Sequence, residues 1–124
     1  MDEATKRALE TDRLIDITTT GRRTGQPHRI EIGFHIVEGE MYIIGTPGPR
    51  SWLANLIANP RFTFHLKQSL QVDLPARATP ISTEARRRAV FATIAERRQA
   101  RQPMDLEAWV KGSPLVQVEL EPSD

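Results

Sequence analysis

The fold is decided by the stretch Ile17-Thr18-Thr19-Thr20-Gly21-Arg22-Arg23-Thr24-Gly25-Gln26-Pro27. Two β-like runs meet there in a short turn that carries two arginines and a threonine hydroxyl between two glycines. Glycine adopts backbone conformations with positive φ that other residues resist, so Gly21 and Gly25 predict a tight turn. Guanidinium groups and free backbone N–H groups suit a phosphate or a carboxylate. The turn is therefore a candidate anion site, with a simply solvated loop as the alternative.

Strand-like runs extend on both sides of this turn. Residues 14–20 are mostly β-branched, and residues 28–37 alternate between apolar side chains on one face and polar or small ones on the other, which indicates a half-buried strand. A Glu-Gly hairpin turn leads into a third strand over residues 40–46, which two prolines end. Three further strands are predicted over residues 61–67, 70–79 and 115–120.

Helical patterns separate some of these strands. A short polar helix is predicted over residues 3–10, and a second helix over residues 51–58 has Ser51 as its candidate N-cap. The longest helix is predicted over residues 83–99, and Asp105 begins a last short helix before the final strand. Antiparallel strands with helices inserted between them predict an α+β barrel, and the chain length predicts a single domain over residues 1–124.

The longest predicted helix has two distinct faces. Ser82 or Thr83 caps it, and its apolar stripe consists of Ala85, Ala89, Val90, Phe91 and Ile94. Its other face carries Arg86, Arg87, Arg88, Arg97 and Arg98. A basic run without interleaved aromatic side chains is usually a solvated helix face, so we interpret these arginines as surface residues and not as an RNA-binding face.

Composition narrows the function classes. Seventeen basic against sixteen acidic residues give a net charge of +1, so no overall field attracts nucleic acid or an anionic membrane. The absence of cysteine excludes disulfides and thiolate catalysis. The N-terminus shows no secretory signal, and no apolar run is long enough to span a bilayer. We expect a cytoplasmic protein, with peripheral attachment to a membrane as the alternative.

No self-contained catalytic set is visible in the sequence. His28, His35 and His65 lie on three different strand segments without metal-ligand spacing, so we predict no metal site and treat strand histidines as solvated. If the protein is an enzyme, a cofactor must carry the difficult chemistry. Trp52 and Trp109 are interpreted as core residues, although Trp52 could also form the wall of a pocket for a flat ring.

Three motifs in order resemble the deazaflavin-dependent nitroreductase family. They are the turn motif at residues 18–27, the hairpin Glu38-Gly39-Glu40, and the run Trp52-Leu53-Ala54-Asn55-Leu56-Ile57-Ala58-Asn59-Pro60. The resemblance covers residues 14–80 well and the C-terminal part in outline. It implies an FMN-binding-like split β-barrel, an oxidoreductase activity, a homodimer, and coenzyme F420, a hydride carrier with a phosphate-bearing oligoglutamate tail.

The resemblance also implies a set of cofactor-binding residues. The turn would hold the phosphate-bearing side of F420 through Arg22, Arg23 and Thr24. The strand along the deazaflavin would contribute His28, Ile30, Ile32 and Gly33. The end of the third strand and the following loop and helix would line and close the pocket with Ile44, Gly45, Thr46, Pro47, Arg50, Ser51, Trp52, Leu53, Ala54 and Asn55.

This chain departs from the family pattern on the acceptor side. Pro47 stands where the family often has a lysine, whose charge Arg50 could replace, and Leu53 replaces a tyrosine. Residues 92–110 contain no tyrosine, and the only tyrosine of the chain is Tyr42. We therefore expect hydride transfer to a hydrophobic acceptor such as a quinone or nitroaromatic, with quinones favoured over nitroimidazoles. The alternatives are a non-catalytic binder of F420 or of an apolar ligand, and an FMN-binding split barrel.

Overall fold

The structure is a computed structural model that describes residues 1–98 and 103–121. Its helices and strands follow one another in an order that agrees with the predicted α+β arrangement. They are α1 (Glu3–Thr11), β1 (Leu14–Thr20), β2 (Pro27–Val37), β3 (Glu40–Ile44), α2 (Ser51–Ala58), β4 (Arg61–Leu66), β5 (Val72–Pro80), α3 (Glu84–Arg98), α4 (Leu106–Gly112) and β6 (Leu115–Leu120). No helix in these ranges is long and apolar enough to cross a membrane.

The six strands close into a barrel in the order β1-β2-β3-β6-β5-β4. Every neighbouring pair is antiparallel, and β1 closes the barrel by pairing with both β2 and β4. The predicted barrel is thus confirmed. Strand β5 runs through Pro75, which we expected only at an edge or bulge, although a closed barrel has no edge strand. Strand β3 ends at Ile44, two residues before the predicted end.

The barrel interior is apolar and follows the predicted alternation. Ile15, Ile17, Phe34, Ile43 and Phe64 are all completely buried. The rings of Phe34 and Phe64 meet edge to face, with their centroids 5.3 Å apart. Because successive strand residues point to opposite faces, every second residue of these strands is buried in the interior and the others lie on the outside of the barrel.

Two helices close the ends of the barrel. Ala8 in α1 and Leu56 in α2 both belong to the interior cluster of buried residues. Helix α1 leads directly into the start of β1, whereas α2 contacts the end of β1 at Thr19. The two helices therefore cover opposite ends, and the end under α2 is the one that carries the glycine–arginine turn.

A second apolar cluster covers the outside of β3 and β6. Tyr42 and Ile44 point away from the interior and pack under α3 and α4. Phe91 of α3 meets Trp109 of α4 edge to face, with 5.9 Å between the ring centroids. Trp109 is 8% exposed, so its interpretation as a core residue is confirmed.

The interpretation of the α3 arginines as a solvated face is wrong for Arg87. Its guanidinium donates to the carbonyls of Val110 at 2.8 Å, Ile81 at 3.0 Å, Trp109 at 3.3 Å and Ser113 at 2.5 Å. The inward stripe of α3 is therefore residues 87, 90, 91 and 94, which repeat at helical spacing. Ala85 and Ala89 are exposed and do not belong to it, contrary to the prediction.

Two helix boundaries differ from the prediction. Arg50 occupies the N-cap position of α2 and makes no side-chain capping bond, so Ser51 is the first helical residue and not the cap. Helix α3 begins at Glu84, and the predicted end at residue 99 lies outside the described residues.

Candidate functional site

The glycine–arginine turn is a compact loop between β1 and β2. The N–H of Gly21 donates to the carbonyl of Gln26 at 2.8 Å, and the N–H of Gly25 donates to the carbonyl of Gly21 at 2.9 Å. Gly25 has a φ of +74°, as predicted. Gly21 does not need a positive φ; a Cβ atom there would lie 2.9 Å from Nε2 of His28. Glycine at position 21 is thus required by close approach and not by backbone conformation.

Asn55 of α2 joins this turn to the barrel. Its Oδ1 accepts hydrogen bonds from the backbone N–H of Arg22 at 3.1 Å and from Nη1 of Arg22 at 3.2 Å. Its Nδ2 donates to the hydroxyl of Thr19 at 3.2 Å. The bond between Asn55 and Thr19 is buried and therefore costly to break, whereas the two bonds to Arg22 are partly buried.

The turn, β2 and the start of α2 enclose a cavity of about 420 Å³, which we call the turn cavity. This volume falls in the usual range for small-molecule sites. Among the described residues that line it, none is acidic. The lining consists of Thr19, Gly21, Arg22, Arg23, Thr24, His28, Ile30, Ser51, Trp52 and Asn55.

The turn cavity is electrostatically suited to an anion. Arg22 and Arg23 bring two positive charges to its wall. The first turn of α2 also faces it, and no side chain caps the N–H groups of that turn. The aligned peptide dipoles place partial positive charge at a helix N-terminus. Guanidinium groups, uncapped N–H groups and the Thr24 hydroxyl together form a donor set for phosphate or carboxylate oxygens.

Trp52 forms the apolar part of the wall and belongs to the interior core as well. It is 9% exposed, so its larger part packs in the barrel while the remainder faces the turn cavity. A Cβ atom at Gly45 would lie 3.4 Å from Cζ2 of Trp52. Gly45, one of the predicted site residues, therefore lies behind the indole and sets how closely it approaches β3.

The other predicted site residues do not line the turn cavity. Ile32 points into the barrel interior, Gly33 lies further along β2, and Ile44 packs in the outer cluster. Arg50 donates to the hydroxyl of Thr46 and to the carbonyl of Pro49, so its guanidinium ties together its own loop. Pro47, Leu53 and Ala54 also lie outside the lining.

Thr19 and Gly21 line the turn cavity but were not among the predicted site residues. The sequence contained a signal for Thr19. It continues the inward-facing series of Ile15 and Ile17, so its hydroxyl occupies a position where the alternation predicts an apolar side chain. A polar side chain on the buried face of a strand requires a partner, and here the partner is Asn55.

His65 is buried, which contradicts the interpretation of the strand histidines as solvated. Its Nδ1–H donates to Oδ1 of Asp73 at 2.6 Å, and its Nε2 is hydrogen bonded to the hydroxyl of Thr18 at 2.7 Å. These partners satisfy both ring nitrogens on the outer face of the barrel. Within the two described ranges, no group of three potential ligands could hold a metal ion.

Comparison with known proteins supports the same fold and a specific family. A family model described as F420H(2)-dependent quinone reductase matches residues 2–121. No curated protein matches the chain.

Solved structures with the same fold come from several bacteria. A conserved hypothetical protein from Mycobacterium tuberculosis is 18% identical with a TM-score of 0.75, covering 98% of this chain and 82% of that chain. A FAD-binding protein from Mesorhizobium loti is 14% identical with a TM-score of 0.67, covering 98% and 91%. General Stress Protein 26 from Bacillus anthracis is 14% identical with a TM-score of 0.68, covering 95% and 87%.

Proposed function

We propose that the turn cavity holds F420 and that the acceptor is a quinone, because this chain belongs to the F420H(2)-dependent quinone reductase family. Family membership makes the protein an oxidoreductase with F420 as cofactor. The observation that carries the assignment of the cavity is the anchoring of Arg22 by buried Asn55, which fixes a guanidinium at the wall of a cavity without acidic lining.

The residues present fit an anionic, flat cofactor. Gly21 has no Cβ atom, so the space beside His28 at the cavity wall is not filled by a side chain from position 21. Arg22 and Arg23 would hold the phosphate-bearing side through charge-assisted hydrogen bonds. Trp52 offers a flat apolar surface for a ring system.

When bound, the reduced deazaflavin supplies a hydride. The protein contributes binding, orientation and exclusion of water. Asn55 keeps Arg22 and the turn in one position, so the cofactor meets preorganised donors and no binding energy is spent on ordering the turn. The buried part of Trp52 excludes water from the barrel side of the cavity.

A quinone is the acceptor that best suits the side chains available. Tyr42, the only tyrosine, lies in the outer cluster, and its hydroxyl accepts a hydrogen bond from Arg86 at 3.1 Å. No phenol is therefore available at the turn cavity as a general acid, a function that typically contributes about 10²–10⁴-fold to a rate. Reduced quinone oxygens can take protons from water, whereas reduction of a nitroimidazole needs a proton delivered beside the hydride.

The assignment of the turn cavity is tested by fluorescence titration with oxidised F420. We expect Arg22→Ala with Arg23→Ala to weaken binding at least tenfold, because each charge-assisted bond contributes about 1.5–3 kcal/mol. The matched control is Arg61→Ala with Arg77→Ala, which removes the same charge from exposed positions on β4 and β5. An unchanged dissociation constant in Arg22→Ala with Arg23→Ala would contradict the assignment of F420 to the turn cavity. Tighter binding of FMN than of F420 would favour an FMN-binding barrel.

The acceptor is tested by a parallel assay of menadione and a bicyclic nitroimidazole with one enzyme preparation and reduced F420. We expect measurable quinone reduction and much slower nitroimidazole turnover. If F420 binds and neither acceptor oxidises it above the buffer rate, the protein is a non-catalytic binder. If nitroimidazole turnover exceeds quinone turnover, the argument from the missing phenol is wrong.

We also propose that the chain forms a homodimer. The support is the family resemblance together with the general prevalence of two-fold symmetric contacts among oligomers. Light scattering at micromolar concentration measures the mass directly, and a monomeric mass would contradict the proposal.

A further inference from the structure

A second cavity lies at the opposite end of the β1–β2 hairpin. Its volume is about 530 Å³, and we call it the α3 cleft because Arg97 and Arg98 of that helix form one wall. Arg13, just before β1, and His35 of β2 form the other side, and Glu10 of α1 lies at the edge.

The α3 cleft is separate from the turn cavity. His28 lines the turn cavity and His35 lines the cleft, and both belong to β2. His35 follows His28 by seven positions of extended strand, which corresponds to about 23 Å at 3.3 Å per residue. A ligand in one cavity therefore does not contact the residues of the other, and the two can be tested independently.

Two arginines of the α3 cleft, Arg13 and Arg98, are held by neutral groups. Arg13 donates to the carbonyls of Asp12 at 2.6 Å and Glu10 at 2.7 Å, and its guanidinium lies 5.7 Å from the ring centroid of Phe34. Arg98 lies over Trp109 at 5.1 Å. Neutral carbonyls and aromatic rings fix a guanidinium in position without cancelling its charge.

His35 lies among these charges. Burial, followed by the nearby Arg98, Arg97 and Arg13, lowers its pKa to about 4. Tyr42 is its register partner on β3, and Glu10 is the acidic residue of the cleft lining. At neutral pH the imidazole is therefore uncharged, and three guanidinium charges face one carboxylate.

We propose that the α3 cleft is a binding site for a phosphate-class oxyanion, either free phosphate or the phosphate group of a small ester. Arg97 and Arg98 of α3 line a cavity large enough for such a group and are the residues that would contact it. Arg13, whose terminal nitrogens already donate to carbonyls, adds a third positive charge beside them. Guanidinium forks match the geometry of phosphate oxygens and form bidentate hydrogen bonds with them. A bound dianion relieves the repulsion among the arginines that the single carboxylate of Glu10 leaves uncompensated.

The imidazole of His35 is a reporter for this site. In the pH range where His35 titrates, phosphate is mainly a monoanion and sulfate a dianion. Either anion beside the ring stabilises the imidazolium, so binding raises the pKa of His35. We expect NMR titration of the His35 ring to show a pKa about one unit higher in phosphate than in chloride of equal ionic strength. One unit corresponds to about tenfold tighter binding by the protonated form. Sulfate serves as a second probe because it remains a dianion over this pH range.

Variants assign the response to the α3 cleft. Arg97→Ala with Arg98→Ala should remove the phosphate-dependent shift, and the milder Arg97→Gln, at an exposed position, should weaken phosphate binding several-fold without loss of the fold. The matched control is Arg22→Ala with Arg23→Ala, which removes two charges from the turn cavity and should leave the shift intact. Glycerol phosphate replaces phosphate in a further arm: an equal shift indicates a phosphate ester, and a shift with inorganic phosphate alone indicates the free ion.

Three results would overturn the proposal. The first is an equal pKa in chloride, sulfate and phosphate, which would mean that only ionic screening acts on His35. The second is loss of the shift in the turn-cavity double variant. The third is an unchanged phosphate affinity in Arg97→Gln. F420 binding is read by a separate fluorescence signal, so failure here leaves the proposed function untouched.

Discussion

The two runs of adjacent arginines, one in the turn between β1 and β2 and one in α3, have opposite surroundings. Arg22 lies exposed at the wall of the turn cavity and is fixed there by the side chain of Asn55. Arg87 is half-buried, and its guanidinium donates to four backbone carbonyls, one just before α3 and three in or just after α4. Its neighbour Arg88 makes exposed ion pairs with Glu84 and Glu107.

The difference shows that the surrounding hydrogen-bond acceptors determine whether an arginine stabilises the fold or remains available to a ligand. A guanidinium whose donors all meet carbonyls stabilises the fold and has no donors left for a ligand. A guanidinium that a single side chain holds at a cavity wall keeps donors available. The predictions below test this distinction, beginning with the largest expected effect.

Arg87→Ala should lower the free energy of unfolding by about 3 kcal/mol. The substitution leaves the carbonyls of Ile81, Val110 and Ser113 without a donor, and each unsatisfied buried group costs about 1–3 kcal/mol, partly offset where water enters. The measurement is urea denaturation followed by circular dichroism.

Arg88→Ala is the matched control for Arg87→Ala, one residue further along the same helix. Its exposed ion pairs should contribute less than about 1 kcal/mol. Equal losses in the two variants would show that helix propensity or charge, and not the carbonyl contacts, accounts for the effect.

Asn55→Ala should lower the free energy of unfolding by about 2 kcal/mol and weaken F420 binding. The buried hydroxyl of Thr19 loses its amide partner, and the N–H of Arg22 loses its acceptor. Because Arg22 is then free to move, we expect at least a tenfold rise in the dissociation constant measured by fluorescence. Asn59→Ala, at the other end of α2, should leave the affinity unchanged. Loss of stability without loss of affinity would mean that Asn55 stabilises the fold but does not contribute to F420 binding.

Acidification should destabilise the protein in the pH range between the folded and the unfolded pKa of His35. Its folded pKa of about 4 lies below the ordinary histidine pKa of 6.5, so the unfolded chain binds more protons between these two values. Stability therefore falls as the pH drops from about 6.5 to about 4 and then levels off. The expected loss is about 2 kcal/mol once partial exposure to solvent is allowed for. His35→Gln should flatten this slope in urea midpoints measured from pH 7 to 4.

A carboxylate on the outer face of the barrel acts in a different pH window. Hydrogen bonding from Lys67 lowers the pKa of Asp16, burial opposes this, and hydrogen bonding from Arg29 lowers it further. The stability that Asp16 contributes is present above its unfolded pKa of about 3.9 and is lost only below it. A slope that survives His35→Gln between pH 6.5 and 4 would contradict the assignment to His35.

The regular parts of the fold were predictable because their cause is local. The bounds predicted for β1 and β6 agree with the structure, since alternation along one strand indicates which side chains are buried. The turn and helix α2 were likewise recognised from contiguous residues. These features come together at the turn cavity because β1, β2 and α2 meet at one end of the barrel.

The errors involve partners that are distant in the chain. Arg87 is inward-facing because carbonyls 22, 23 and 26 positions away accept its bonds, and hydrophobicity contains no information about such acceptors. His65 is buried because Thr18, 47 residues away, and Asp73 satisfy its ring. In both cases a polar side chain occupies a buried position through long-range hydrogen bonds, which composition and periodicity do not reveal.

The two glycines of the turn provide the smallest and most specific test. A Cβ atom at Gly21 would lie 2.9 Å from Nε2 of His28, the far end of a side chain that can move, and 3.2 Å from the carbonyl oxygen of Gln26, which moves less easily. We expect Gly21→Ala to lower the free energy of unfolding by about 1 kcal/mol. It displaces His28 from the cavity rim, and we expect a several-fold rise in the F420 dissociation constant. Gly25 has open space around it but a φ of +74°, so Gly25→Ala should cost about 1 kcal/mol in backbone strain and leave affinity unchanged.

Gly25→Asn completes this comparison, because asparagine tolerates positive φ and should recover most of the stability lost in Gly25→Ala. Urea denaturation and fluorescence titration of the three variants separate the two roles: position 21 affects binding as well as folding, and position 25 affects folding alone. If Gly25→Ala weakens F420 binding while Gly21→Ala does not, the conformation of the loop matters more than the space beside His28. The cofactor would then be expected to contact the turn at Arg23 and Thr24, and not beside Gly21 and His28.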